Sequence, residues 1–73
     1  MTENDLRIIM QKVFPNALIP EDIRSLKLGD IDGWDSLGNL NLMLAIESEQ
    51  KIRFSMDQIS EIKSVTQILD VLN

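Results

Sequence analysis

Between Asp35 and Gln50 the chain carries apolar residues on two adjacent stripes of a helical repeat, Leu37, Leu40 and Leu44 on one and Leu42, Met43 and Ile46 on the other. A helix at the surface of a two-layer fold needs to bury only one such stripe. One of these two is therefore either fully internal or left for a partner. Asp35 or Ser36 can cap the segment, since either side chain can accept from the unpaired N–H groups of a first turn.

The remaining segments also read as helices. From Glu3 to Phe14, residues Leu6, Ile9, Met10, Val13 and Phe14 fall on one face of a 3.6-residue repeat. Thr2 and Asp5 have the spacing of a capping box, and Pro15 ends the helix by disfavouring helical backbone at Phe14. Ser55–Gln58 and Ser64–Gln67 are two more Ser-x-x-Gln boxes. The first leads into Met56, Ile59 and Ile62, the second into Val65, Ile68, Leu69 and Leu72. Between them and the long helix, Ile52 and Phe54 of the link 51–54 are expected core contacts. Residues 15–35 form a long connection punctuated by Pro15, Pro20, Gly29 and Gly33, yet apolar at Leu18, Ile19, Ile23, Leu26, Leu28 and Ile31. A solvated linker does not carry so many apolar residues, so this loop is expected to pack across the bundle, with one helical turn near Glu21–Ser25. No alternating run has a partner elsewhere. The reading is a single all-α domain spanning 1–73, a small bundle of three main helices and one short helix with a long ordered loop between the first two.

Composition excludes much chemistry. The chain has no histidine and no cysteine, so it lacks the commonest general base, the thiol nucleophile and the usual zinc ligands. A self-contained Ser/His/Asp or Cys/His site is impossible, and the protein is not expected to be an enzyme or to hold a metal. Twelve acidic residues against seven basic ones give a net charge of −5, which disfavours binding to a phosphate backbone and hence to nucleic acid. No apolar run is long enough for a membrane span, and the polar opening MTENDLRIIM has no signal-peptide pattern. A cytoplasmic location is the expectation.

Attention then falls on Ser36. One reading is a helix cap. Asp35 already offers one, however, which makes a second redundant, and Asp32 and Gly33 place the pair at an exposed loop-to-helix junction. A helix N-terminus also favours an attached anion, because its first N–H groups are unpaired and the dipole is positive there. From Leu28 to Gln50 there are five carboxylates (Asp30, Asp32, Asp35, Glu47 and Glu49) and no Lys or Arg. Each alone reads as a solvated acid; together they suit a docking surface for basic partners.

The stretch GWDSLGNLNLMLAIE, Gly33–Glu47, resembles the prosthetic-group segment of acyl carrier proteins, whose core is Asp-Ser-Leu at the start of the second helix. The resemblance covers nearly the whole chain in helix order and length. It implies that Ser36 carries 4′-phosphopantetheine, added from coenzyme A by a separate phosphopantetheinyl transferase. The working thiol would then belong to the cofactor. The resemblance also implies that Asp35 assists the transferase and that Leu37 flanks the arm. Leu40 and Leu44 would present apolar contacts to partner enzymes, Leu42, Met43 and Ile46 would be core, and Glu47 and Glu49 would serve docking. Trp34 replaces the small residue usual there and reads equally as a packed loop aromatic or as a contact with partner or arm. Gly38, Asn41 and Ser48 stand where housekeeping fatty-acid carriers place acids, and Gly38 weakens a helix by ~1 kcal/mol against alanine. The expectation is therefore a freestanding, monomeric carrier of a specialised biosynthetic pathway. Its partners would be an acyl- or aminoacyl-loading ligase or transferase and downstream acyl-processing enzymes. An aminoacyl or peptidyl carrier with the same attachment chemistry is the nearest alternative. A helical interaction module with Ser36 as a cap and an acidic protein phosphorylated at Ser36 are the others.

Overall fold

The computed structural model describes residues 1–72. Four helices follow in order, α1 (Glu3–Val13), α2 (Ser36–Gln50), α3 (Met56–Glu61) and α4 (Val65–Leu72), and no strand forms among the described residues. The all-α class and the long loop between α1 and α2 are as the sequence indicates.

The capping chemistry explains the helix starts. Asp5 N–H donates to Thr2 Oγ1 at 3.1 Å while Thr2 N–H donates to Asp5 Oδ2 at 3.1 Å, which closes the expected box at α1. The Thr2 backbone N–H, followed by the Thr2 hydroxyl, holds the Asp5 carboxyl below the ordinary aspartate value. Ser55 and Gln58 close a second box at α3. The third is incomplete: Gln67 N–H donates to Ser64 Oγ at 3.2 Å, but Gln67 Oε1 accepts from Lys63 N–H at 2.8 Å, one residue further back. A lone antiparallel bridge between Lys27 and Ser64 holds the chain extended there, so the backbone before α4 presents Lys63 instead.

One helical face from each long element meets in the core. Leu6, Ile9 and Met10 of α1 pack with Leu42, Met43 and Ile46 of α2, and Val65 and Ile68 of α4 join them. Phe14, Ile23, Leu26 and Trp34 come from the loop, and Phe54 and Ile62 flank α3. The loop is thus part of the core, although Leu18, counted among its apolar residues, is 95 % exposed. Arg7 fastens it to α1, donating from Nε to Pro20 O at 2.8 Å and from Nη2 to Ile19 O at 2.9 Å. Its far half is tied to the start of α4 through Leu28 N–H to Lys63 O at 2.8 Å and Val65 N–H to Leu26 O at 3.0 Å.

One expectation needs correction. The helical turn near Glu21–Ser25 does not form. Asp22 Oδ1 accepts from Arg24 N–H at 3.1 Å, and a single tight turn closes from Leu26 N–H to Ile23 O at 3.0 Å. An aspartate side chain bonding its neighbour's backbone competes with helix in this way. Of the apolar residues that the second box leads into, Ile62 is buried while Met56 is 76 % exposed, since α3 is too short to turn all of its apolar side chains inward.

At the end of α2, Lys51 adopts left-handed backbone with φ 55° while its N–H reaches Glu47 O. A side chain in that region carries a steric cost that glycine avoids. Lys51→Gly should therefore raise stability by up to ~1 kcal/mol, read as an increased midpoint in urea denaturation. An unchanged or lower midpoint would show that the lysine side chain contributes packing that offsets the backbone strain.

Candidate functional site

The site is assembled where the loop enters α2. Gly29 and Gly33 both take positive φ, at 96° and 90°, conformations that glycine adopts without penalty. Gly29 N–H donates to Trp34 O at 2.8 Å and Trp34 N–H to Ile31 O at 3.2 Å, so residues 29–34 form a closed curl. The curl turns the Trp34 ring inward and leaves Asp35 and Ser36 at the surface.

Asp35 is the cap. Its Oδ1 accepts from Gly38 N–H at 2.8 Å, and its carbonyl accepts from Asn39 N–H at 2.7 Å. Ser36 is therefore the first residue inside the helix, its hydroxyl is left out of the cap, and the residue is exposed. The redundancy in the sequence is resolved in favour of Asp35, although aspartate and serine serve about equally well as N-caps.

Close packing sets this geometry. Gly38 is buried, and a Cβ built on it would lie 1.9 Å from Gly33 O and 3.1 Å from the Phe14 ring. The first turn of α2 thus rests directly on the loop backbone. Asn39, one residue on, is 4 % exposed. Its Oδ1 accepts from Trp34 Nε1 at 3.0 Å, and its Nδ2 donates to Ile62 O at 2.8 Å and Ile59 O at 3.3 Å. One amide thereby joins the loop, the first turn of α2 and the end of α3.

Ser36 opens onto a groove of about 350 Å3 between α2 and α3. Leu28, Leu40, Met56 and Ile59 give it an apolar lining, with Ser60 and Lys63 at its edge and Asn39 contributing to its wall. A second depression, on the α1 side, is lined by Phe14, Asp32, Asp35 and Leu37 among others. Ser36 does not line it.

The site residues expected from the sequence are only partly brought together. Asp35, Ser36 and Leu37 are adjacent and exposed, Leu37 at 66 %. Leu40 lines the groove, and Leu44 is 48 % exposed further along α2. Trp34 does not reach a partner surface. It is 1 % exposed, its indole N–H is bonded to Asn39, and its ring stacks on Phe14 with centroids 6.2 Å apart. Of its two readings, the packed loop aromatic is the one observed.

The acidic block is not one patch. Glu47 and Glu49 lie about 16 and 20 Å along the α2 axis from Ser36, at a rise of ~1.5 Å per residue. Glu47 Oε2 accepts from Phe54 N–H at 2.7 Å, which anchors the link to α3, and Glu49 pairs with Lys12 of α1 at 3.3 Å. Asp30 pairs with Lys27 at 3.4 Å. Asp32 in the curl and Asp35 at the cap are carboxylates near Ser36 without an ion pair among the described residues.

Compared with known proteins, the chain matches no family model, no curated protein and no solved structure.

Chemically, the arrangement presents a primary hydroxyl at a helix start, where unpaired N–H groups favour an attached anion, next to an apolar groove. A phosphodiester on Ser36 fits that position. Ser36 stands at the outer edge of the fold, so a linked arm can either extend into solvent or lie along the groove.

Proposed function

We propose that this chain is a carrier of the acyl carrier type, modified on Ser36 and presenting an acyl group to partner enzymes of a specialised biosynthetic pathway. The observation that carries the reading is the division of labour in the first turn of α2. Asp35 caps the helix and Ser36, exposed beside an apolar groove, is spared for modification. The motif Asp-Ser-Leu at this position in a four-helix chain supports it.

In the proposed modification the Ser36 oxygen attacks the phosphorus of coenzyme A that bears the pantetheine. One new O–P bond forms, the pyrophosphate bond breaks, adenosine 3′,5′-bisphosphate leaves, and the hydroxyl proton passes to a base of the transferase. The group supplies, when bound, a flexible arm ending in a thiol that holds acyl groups as thioesters. The chain's own residues do the positioning. Asp35 and Gly38 fix the helix start, the Gly29–Trp34 curl holds Ser36 outward, and Leu37 and Leu40 flank the arm. Leu37, Leu40 and Leu44 form the apolar stripe offered to partners, while Asp32 and Asp35 add negative charge close to the attachment point. Glu47 continues this stripe at its far end, with its carboxylate engaged by Phe54 N–H, and Glu49 is paired with Lys12.

The test is intact mass after incubation with coenzyme A, magnesium and a broad-specificity phosphopantetheinyl transferase. The parent should gain one phosphopantetheine and Ser36→Ala none. No gain in the folded parent, with a known carrier modified in parallel, would overturn the reading. The exposed stripe Leu37, Leu40 and Leu44 would then favour a helical interaction module. Candidate loading ligases supplied with acyl and aminoacyl substrates would separate an acyl carrier from an aminoacyl carrier.

A further inference from the structure

We propose that an acyl group carried on Ser36 stays in the outer groove and does not enter the core, because Asn39 and Trp34 close the way between them. The inference rests on the carrier reading and concerns where that site keeps its cargo.

From the Ser36 groove, a long alkyl chain would reach the core by passing between α2 and α3. Asn39 stands in that path, in the wall of the groove yet 4 % exposed. Its amide is fastened on three sides, to the Trp34 indole N–H, to Ile62 O and to Ile59 O. These bonds tie the start of α2 to the end of α3, so the two helices cannot part there without stranding buried polar groups. Among the described residues no buried side-chain nitrogen or oxygen lacks a partner. The network therefore has no loose amide ready to swing aside.

Trp34 backs the seal. Its ring is 1 % exposed, lies against Phe14 and fills the volume behind the first turn of α2. Leu42, Met43 and Ile46 deeper along α2 are fully buried and packed with α1 and α4 residues in the same cluster. Outside the seal, the open groove of about 350 Å3 is at the small end of the ~300–1,000 Å3 typical of ligand sites. A linked arm would itself occupy part of it. A few carbons fit on Leu40, Met56 and Ile59 without entering the core. Asn39 is on this account the residue that keeps a longer chain outside the bundle.

The test uses the whole protein, loaded by the same transferase from coenzyme A thioesters of two, four, eight and twelve carbons. Methyl NMR then follows two groups of residues. Signals from Leu40, Met56 and Ile59 at the groove are expected to respond, while those from Met43, Ile46 and Ile68 in the core stay in place for every chain length. The thermal unfolding midpoint should likewise not rise with chain length. Core signals that move with the eight- and twelve-carbon chains, or a midpoint that climbs with chain length, would overturn the proposal and leave the carrier reading intact. Failure of the transferase to modify Ser36 would overturn both.

Discussion

Replacing Asn39 by alanine is expected to remove about half of this protein's stability. A folded chain of 73 residues has in total ~4–11 kcal/mol, at ~0.05–0.15 kcal/mol per residue. Asn39→Ala strands the Trp34 indole N–H, which is buried, and takes a donor from the carbonyl of Ile62, where α3 ends. Each buried group left without a partner costs ~1–3 kcal/mol, so the sum is ~2–6 kcal/mol before any cavity is counted. The midpoint in urea should fall accordingly in a denaturation series followed by circular dichroism. A second substitution separates the polar network from simple packing. Asn39→Leu alone should still be costly because Trp34 N–H remains stranded, whereas Asn39→Leu combined with Trp34→Phe removes both donor and acceptor and should recover part of the loss. A loss under ~1 kcal/mol for Asn39→Ala would mean that water reaches these groups and that the amide is no seal.

Asn39 also shows where reading the sequence stops. The apolar periodicity of α1 selects its observed core face, since burial of a stripe depends on spacing that is visible residue by residue; that of α2 offers two stripes and does not say which is internal. The caps at Thr2 and Ser55 are local and equally visible. Asn39 lies inside an apolar run, and nothing local reveals that its partners stand at 34, 59 and 62. Only the approach of loop and α3 to the first turn of α2 creates the site. Trp34 is ambiguous for the same reason, as its orientation is set by the curl from Gly29 and not by its neighbours in sequence. The acids divide along similar lines. Five carboxylates in a row of positions look like one surface, yet Glu47 and Glu49 sit at the far end of a helix and are engaged by Phe54 N–H and Lys12. Charge is countable in a sequence, but its placement along a helix axis and its local partners are not. The Asp35–Ser36 pair was readable because capping is a relation between near neighbours.

Gly38→Ala supplies the second large effect, and here two physical arguments predict opposite signs. Helix propensity favours alanine over glycine by ~1 kcal/mol in a helix interior. Packing forbids it, because the added Cβ would stand 1.9 Å from the carbonyl oxygen of Gly33, and Phe14 crowds the same space at 3.1 Å. The obstructing atom is backbone, so no rotamer change relieves the contact. Gly33 itself is held at φ 90° within the curl closed by Gly29 and Trp34. Either the loop or the first turn of α2 must move, and overpacking of this kind costs ~1–3 kcal/mol or more. Displacing the turn also lengthens the Gly38 N–H bond to Asp35 Oδ1, and a lost cap adds ~1 kcal/mol. The packing argument wins: Gly38→Ala should lower stability by ~2 kcal/mol net of its propensity gain. Because the same turn aims Ser36, the variant should also take up phosphopantetheine more slowly at temperatures where it remains fully folded. An alanine variant more stable than the parent would show that the first turn of α2 is free to lift off the loop, and Ser36 would then be placed by the transferase instead of by the fold.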